Sequence, residues 1–202
     1  MPGSRQPSPG MQRLPRDFFT RDSLDVAPEL LNKVIAFGNC RGRLVEVEAY
    51  KGVDDPGSHG YRGMTPRTEV MFGPAGHLYV YFTYGMHWCA NVVCGADGEC
   101  SAVLLRAVTP LAGLAEMRKR RPAARRDRDL CSGPAKFTSA FGIDGTHNGA
   151  DLVAADLGVE LLDDETPPPV EVGRSTRIGL TAGTELPWRW YVRGCDDLSR
   201  RG

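Results

Sequence analysis

Apolar positions in this chain gather in short runs broken by glycine and proline, and within the runs they alternate or lie side by side for only a few residues. That is the pattern of strands rather than of long helices. Val34-Ile35-Ala36-Phe37 predicts one strand, Gly38-Asn39 a turn, and the alternation over 43–50 a second strand completing a hairpin. The run 78–91 predicts another hairpin: aromatic and β-branched residues alternate as far as Thr83, and Tyr84-Gly85 supplies the permissive backbone of a tight turn, with Tyr84 at the tip. Further strands are predicted at 102–108, 159–162, 177–180 and 190–193.

Helical signals are fewer. The segment 26–31 follows Ser23 and Asp25, either of which can cap a short helix. An apolar stripe of Leu111, Leu114 and Met117 with a basic rear predicts a helix over 110–121, and 135–141 predicts a short one closed by Gly142. Asp129 to Pro134 reads as a turn, and 52–68, rich in Gly, Pro and Asp, as a loop on the end of the strand 43–50. Residues 1–16 are polar and proline-bearing without periodicity, so a disordered N-terminal arm is expected, followed by one folded domain over 17–202.

Composition narrows this picture. A chain of 202 residues, 41% of them hydrophobic, suffices for one buried core and is short for two. The 25 basic and 25 acidic residues cancel, which argues against a simple basic DNA-coating protein, yet they are segregated. Positions 118–136 hold eight bases (Arg118, Lys119, Arg120, Arg121, Arg125, Arg126, Arg128, Lys136) against two acids, and 144–171 hold eight acids and no Lys or Arg. One surface can therefore face phosphates while another repels them, although a solvated helix face followed by an acidic loop has the same composition. No apolar run approaches the roughly 20 residues of a membrane span, and the start has no apolar signal core, so a soluble cytosolic protein is expected. The six cysteines sit in no CxxC pair and read as reduced thiols, and the spacing of His87, Cys89 and Cys94 is irregular for zinc.

Candidate chemistry lies on the strand 43–50, where a period of two puts Leu44, Glu46, Glu48 and Tyr50 on one face and Val45, Val47 and Ala49 on the core face. Two carboxylates, their Cα atoms roughly 6.5 Å apart, then share a face with an aromatic ring, a candidate site if that face is not simply solvated. His59, in the following loop, can hydrogen-bond or stack on a flat group. Arg106 ends an apolar strand, so its charge must pair with a carboxylate such as Glu48 or lie at a cleft. Asn91 can read a ring edge or satisfy a backbone group. Five of the sixteen aromatic residues fall within 79–88, and a ring on a rigid hairpin tip suits wedging into a base stack, although a buried strand pair has the same pattern. A carboxylate, paired aromatic faces, a wedge and a basic segment are the parts needed to extrude a nucleotide and hydrolyse its glycosidic bond.

Glu46-Val47-Glu48-Ala49-Tyr50, Gly76 to Tyr81 leading into Tyr84-Gly85-Met86, Leu104-Leu105-Arg106-Ala107, Leu130 to Lys136 and Tyr191-Val192-Arg193-Gly194 together closely resemble the alkyladenine, or 3-methyladenine, DNA glycosylase family of base-excision repair. The resemblance implies a mixed α/β (α+β) single domain: a curved antiparallel β-sheet with flanking helices and a protruding β-hairpin. It implies a monofunctional glycosylase that flips alkylated or deaminated purines out of duplex DNA and leaves an abasic site. Glu48 resembles the general base and Arg106 its partner in holding water. Tyr50, His59 and Tyr81 resemble the walls of the base pocket, and Asn91 the residue that crowds the purine edge. Tyr84 resembles the wedge, with Met86 beside it, and Ser132, Gly133 and Lys136 resemble phosphate contacts, joined by Arg118 from the basic stretch. No metal or organic cofactor is implied, and the expected partner is double-stranded DNA bound by a monomer, nucleoid-associated in a bacterial cytoplasm. A silent damaged-DNA-binding module built on the same hairpin, and a lyase using Lys51, are the competing readings at this point.

Overall fold

A computed structural model describes residues 10–200. In chain order the elements are β1 (Gln12–Arg13), α1 (Arg16–Phe19), α2 (Ser23–Leu30), β2 (Val34–Phe37), β3 (Cys40–Tyr50), β4 (Leu78–Thr83), β5 (His87–Val93), β6 (Ala102–Ala112), α3 (Leu114–Arg120), α4 (Arg128–Cys131), α5 (Pro134–Phe141), β7 (Val159–Asp163), β8 (Val172–Ser175) and β9 (Arg189–Val192). Of the arm expected to be disordered, residues 10–16 belong to the fold: β1 pairs with β7, and Leu14 is buried. Residues 1–9 lie outside the described residues.

The strands form one curled antiparallel sheet in the order β1-β7-β2-β3-β6-β5-β4, with β9 pairing the second half of β3 and β8 pairing β9. Helices α2 and α5 cover one face, where Val26, Leu30, Phe137 and Phe141 pack with Val47, Ala49, Val103 and Leu105. The domain is thus the expected mixed α/β one, a sheet with flanking helices. No helix among the described residues is long and apolar enough to cross a membrane.

Four local expectations are corrected. The cap of α2 is Asp22, whose carboxylate accepts from the Leu24 N–H at 2.9 Å, while Ser23 turns inward to donate to the Tyr50 carbonyl at 3.3 Å. The helix predicted over 110–121 starts only at Leu114, because pairing of β6 with β3 continues through Pro110 and Ala112 and overrides the local helical period. The turn predicted at Asp129 to Pro134 holds one helical turn, α4. The segment 177–180 is not a strand, since the Ile178 N–H goes to the Glu48 carboxylate instead of to a neighbouring strand.

Strand β3 carries the correction that matters most. Register shifts interrupt its pairing with β6 between Leu44 and Glu46 and between Glu46 and Val47, leaving Val45 on one strand and Arg106 on the other without a Cα partner. Each bulge inserts one residue and reverses the alternation beyond it. Leu44 consequently joins Val47 and Ala49 in the core instead of sharing the face of Glu46 and Glu48. On β6 the same slip spaces the core residues Leu105 and Val108 by three, and Arg106 between them leaves the regular pairing.

Gly42, near the start of β3, faces Val108 of β6 and Phe141 of α5 at close range. A Cβ there would stand 2.2 Å from Val108 Cγ1 and 3.2 Å from Phe141 Cζ. Gly42→Ala is expected to lower stability by about 1–3 kcal/mol through overpacking, measured by urea unfolding.

Candidate active site

Antiparallel register aligns Tyr79 of β4, Asn91 of β5, Leu104 of β6 and Glu48 of β3 in one row across the sheet. Residues opposite one another in such a ladder share a face, so this row marks the face turned away from α2 and α5. A cavity of about 350 Å³ opens on it, lined by residues that include Tyr50, His59, Tyr81, Tyr84, Asn91, Leu104 and Arg106. The volume is in the range of small-ligand sites. Glu48 is fully buried beneath the cavity and is joined to its lining by hydrogen bonds from Tyr50 and Arg106.

The two carboxylates of β3 differ in how they are satisfied. Glu46 Oε1 accepts from Arg106 Nε at 3.0 Å, Arg189 Nε at 2.8 Å and Ser199 Oγ at 2.7 Å, and Oε2 accepts from the Ser199 N–H at 2.6 Å. Three of those donors share Oε1 and one holds Oε2. Glu48 has three donors: Tyr50 Oη at 2.9 Å and Arg106 Nη1 at 3.1 Å on Oε2, and the Ile178 N–H at 2.8 Å on Oε1. Oε1 therefore retains a further acceptor position.

Their acidities diverge accordingly. Burial opposes ionisation of Glu46, but the charge of Arg106 with Ser199 and Arg189 outweighs it and holds the carboxyl below its ordinary range. At Glu48 burial dominates, outweighing Arg106, Ile178 and Tyr50, and the carboxyl is pushed above its ordinary range. Burial and the adjacent Glu48 raise the Tyr50 phenol, keeping it a neutral donor. Paired carboxylates whose environments separate their acidities are a recurrent arrangement for dividing acid–base roles.

Three rings shape the cavity. Tyr79 and Tyr81 stack with centroids 5.4 Å apart, and the His59 ring stands edge-on to Tyr81 at 4.5 Å. His59 Nδ1 lies 3.2 Å from the Tyr79 hydroxyl, and burial together with the charge of Arg67 lowers its pKa, so the ring is neutral at pH 7. Tyr50 packs on the Arg177 guanidinium at 4.6 Å, and Trp188 lies on that same guanidinium at 5.1 Å. Arg177 in turn makes a bidentate pair with Asp55 at 2.5 and 2.6 Å, both side chains fully buried. This pair ties the loop bearing His59 to the segment whose Ile178 bonds Glu48. Asn91, also buried, directs Nδ2 at the Tyr79 carbonyl at 3.5 Å.

The hairpin of β4 and β5 carries Tyr84 and Gly85 at its turn with φ of 50° and 66°, consecutive positive values as in a type I′ turn. Tyr84 is 80% exposed and Met86 68%. A groove of about 550 Å³ shares Arg106, Pro134 and Ile178 with the cavity and runs on to Ser132, Gly133 and Lys136. Arg118 does not join them: it pairs with Asp127 and is outside both linings. Much of the basic stretch is engaged internally, Arg120 by the Ala140 carbonyl, Arg121 by those of Asp129 and Leu130, and Arg126 by Asp129. A linear charge count cannot see such pairing.

Sequence reasoning missed Arg177, Arg189, Asp55 and Ser199. Arg189 stands between Trp188 and Trp190 and Arg177 directly before Ile178, and the reasoning applied to Arg106 could have singled them out as charges needing partners. Asp55 and Ser199 carry no such signal. Asp55→Ala, which leaves Arg177 buried without its partner, is expected to cost about 3–5 kcal/mol of stability in urea unfolding.

A model of the methylpurine-DNA glycosylase family matches residues 17–196. A Burkholderia lata protein curated as "Putative 3-methyladenine DNA glycosylase" is 58% identical over 90% of this chain and 88% of its own length. Proteins of the same curated name from Streptomyces avermitilis and Rhodopseudomonas palustris strain BisB5 are 47% and 46% identical, over 92% and 96% of this chain and 90% and 93% of their own lengths. The matched stretch holds Glu48, Arg106 and the rings around the cavity, and the chain belongs to the methylpurine-DNA glycosylase family, N-glycosyl hydrolases of base-excision repair.

Proposed function

We propose that this protein acts as a single chain that flips alkylated or deaminated purines of the 3-methyladenine type out of duplex DNA and hydrolyses their glycosidic bond with a water activated by Glu48. The contrast between the four-donor, acidic Glu46 and the three-donor, weakly acidic Glu48 carries this reading. A base must be ionised yet still able to take a proton, which suits a carboxylate with a raised pKa and an acceptor position to spare.

In this reading Tyr84 enters the duplex from the hairpin tip as the nucleotide leaves the stack. The purine lies against Tyr81, His59 and Tyr50, and Asn91 crowds its edge where guanine would carry an amino group. Arg106, in the walls of both cavity and groove, orients the water. Glu48 takes a proton as the water oxygen bonds to the sugar C1′ from the face opposite the purine. The C1′–N bond breaks with its electrons passing to the purine ring, which neutralises a cationic lesion and leaves a neutral deaminated purine as an anion that water protonates, and a free base and an abasic site result. Ser132, Gly133 and Lys136 line the path for the backbone phosphates. The ammonium of Lys51 is held by Asp22, which disfavours a Schiff base with the sugar and supports a monofunctional reaction.

Glu48→Gln is expected to bind a lesion duplex and lose base release by about 10²-fold or more, scored as alkali-sensitive breaks in methylated DNA. Unimpaired release by that variant would exclude Glu48 as the base. Because the base acts ionised and burial raises its pKa, single-turnover excision should fall as pH drops, with an acid limb lying above the ordinary carboxylate value of 4.5. A limb at or below that value would contradict the assignment.

A further inference from the structure

We propose that Ser199 is a positioning residue for base excision: its hydroxyl sits between Glu46 and Arg106 and sets how Arg106 is shared between the two buried carboxylates. The inference rests on the reading of Glu48 as the base. Ser199 lies in the segment after β9, beyond the stretch matched by the family model. That segment folds back onto the sheet, with Thr109 donating to Asp197 at 2.5 Å and Arg189 donating to the Arg200 carbonyl at 2.7 Å.

A hydroxyl has one proton to donate and lone pairs with which to accept. Ser199 Oγ donates to Glu46 Oε1 at 2.7 Å and accepts from Arg106 Nη2 at 3.3 Å. The guanidinium of Arg106 thus meets three partners: Glu46 through Nε, Glu48 through Nη1 and Ser199 through Nη2. A planar fork held at three points has its orientation defined, so the direction of Nη1 toward Glu48 depends on Ser199 as well as on the carboxylates.

The charged and titratable groups facing this cluster come from every strand around it. Glu46, Glu48 and Tyr50 belong to β3, Arg106 to β6 and Arg189 to β9. Tyr81 of β4 and Cys89 of β5 also act on it, Tyr81 through Glu48 and Cys89 through Arg106. None of these groups stands in for the Ser199 hydroxyl between Glu46 and Arg106. Without it Glu46 loses a donor, draws more of the Arg106 charge and exposes Glu48 to more of its own negative charge. Both changes make Glu48 harder to ionise.

The test compares the full-length protein with Ser199→Ala and Ser199→Thr, following Glu48 by carboxyl-carbon NMR in the free protein and base release on methylated duplex DNA across pH. Glu48→Gln identifies the resonance. Ser199→Ala is expected to move the Glu48 midpoint and the acid limb of excision together to higher pH. At a fixed pH on that limb the rate should fall about three- to tenfold while the high-pH plateau is kept, and threonine should restore both. A loss of amplitude or stability with unmoved midpoints, or failure of threonine to restore them, overturns the inference. Should Ser199→Ala not fold, Ser199→Cys, a weaker donor, takes its place and must shift the midpoint in the same direction. Midpoints that shift in a protein releasing no base would uphold the positioning role and refute the enzymatic reading.

Discussion

Two carboxylates buried side by side on one strand cannot both stay ionised in a protein interior unless positive charge and hydrogen-bond donors surround them. Around Glu46 and Glu48 that requirement is met by Arg106 and Arg189, which balance the two negative charges, and by Ser199, Tyr50 and the Ile178 N–H. The donors come from β6, β9, the end of β3 and two loops, so the cluster joins segments far apart in the chain. The two carboxylates are held unequally. One carboxylate is held as a fixed counter-charge, and the other is left weakly acidic with an acceptor position to spare.

The paired bulges in β3 and β6 make this cluster geometrically possible. In an uninterrupted ladder Arg106 would sit opposite Glu46 or Val47 at regular spacing and Leu44 would share the polar face. The extra residue on each strand returns Leu44 and Val108 to the core while leaving Glu46 and Arg106 on the far side. The two shifts offset one another, so Gly42 to Leu44 return to the register that Val47 to Tyr50 keep with β6.

Around the cluster, the loops are held by a second buried ion pair. Asp55 and Arg177 bring the His59 loop and the Ile178 segment together, and the stacking of Tyr50 and Trp188 on the same guanidinium fixes one cavity wall. The hairpin tip has no such restraint, and Tyr84 and Met86 project from the sheet. The cavity therefore lies next to a projecting aromatic residue.

Short-range pattern in the sequence determined the strands β2, β4, β5, most of β3 and β7, the helix α5, the turn at Tyr84-Gly85, and the polar face bearing Glu46 and Glu48, because a period of two and turn chemistry are local properties. The motif resemblance reached the family and singled out Glu48, Arg106, Tyr50, His59 and Tyr81, which the fold brings around one cavity. Tertiary structure alone decided the phase of β3, where bulges move Leu44 to the core, and the fate of 177–180, whose backbone serves a carboxylate instead of a sheet. It also separated Arg118 from Ser132 and Lys136 and gave Glu46 the donors Arg189 and Ser199, more than 140 residues away. These outcomes depend on which groups meet across the fold and on how much water remains around them, and neither the partner nor the solvation of a side chain is written in its neighbours along the chain.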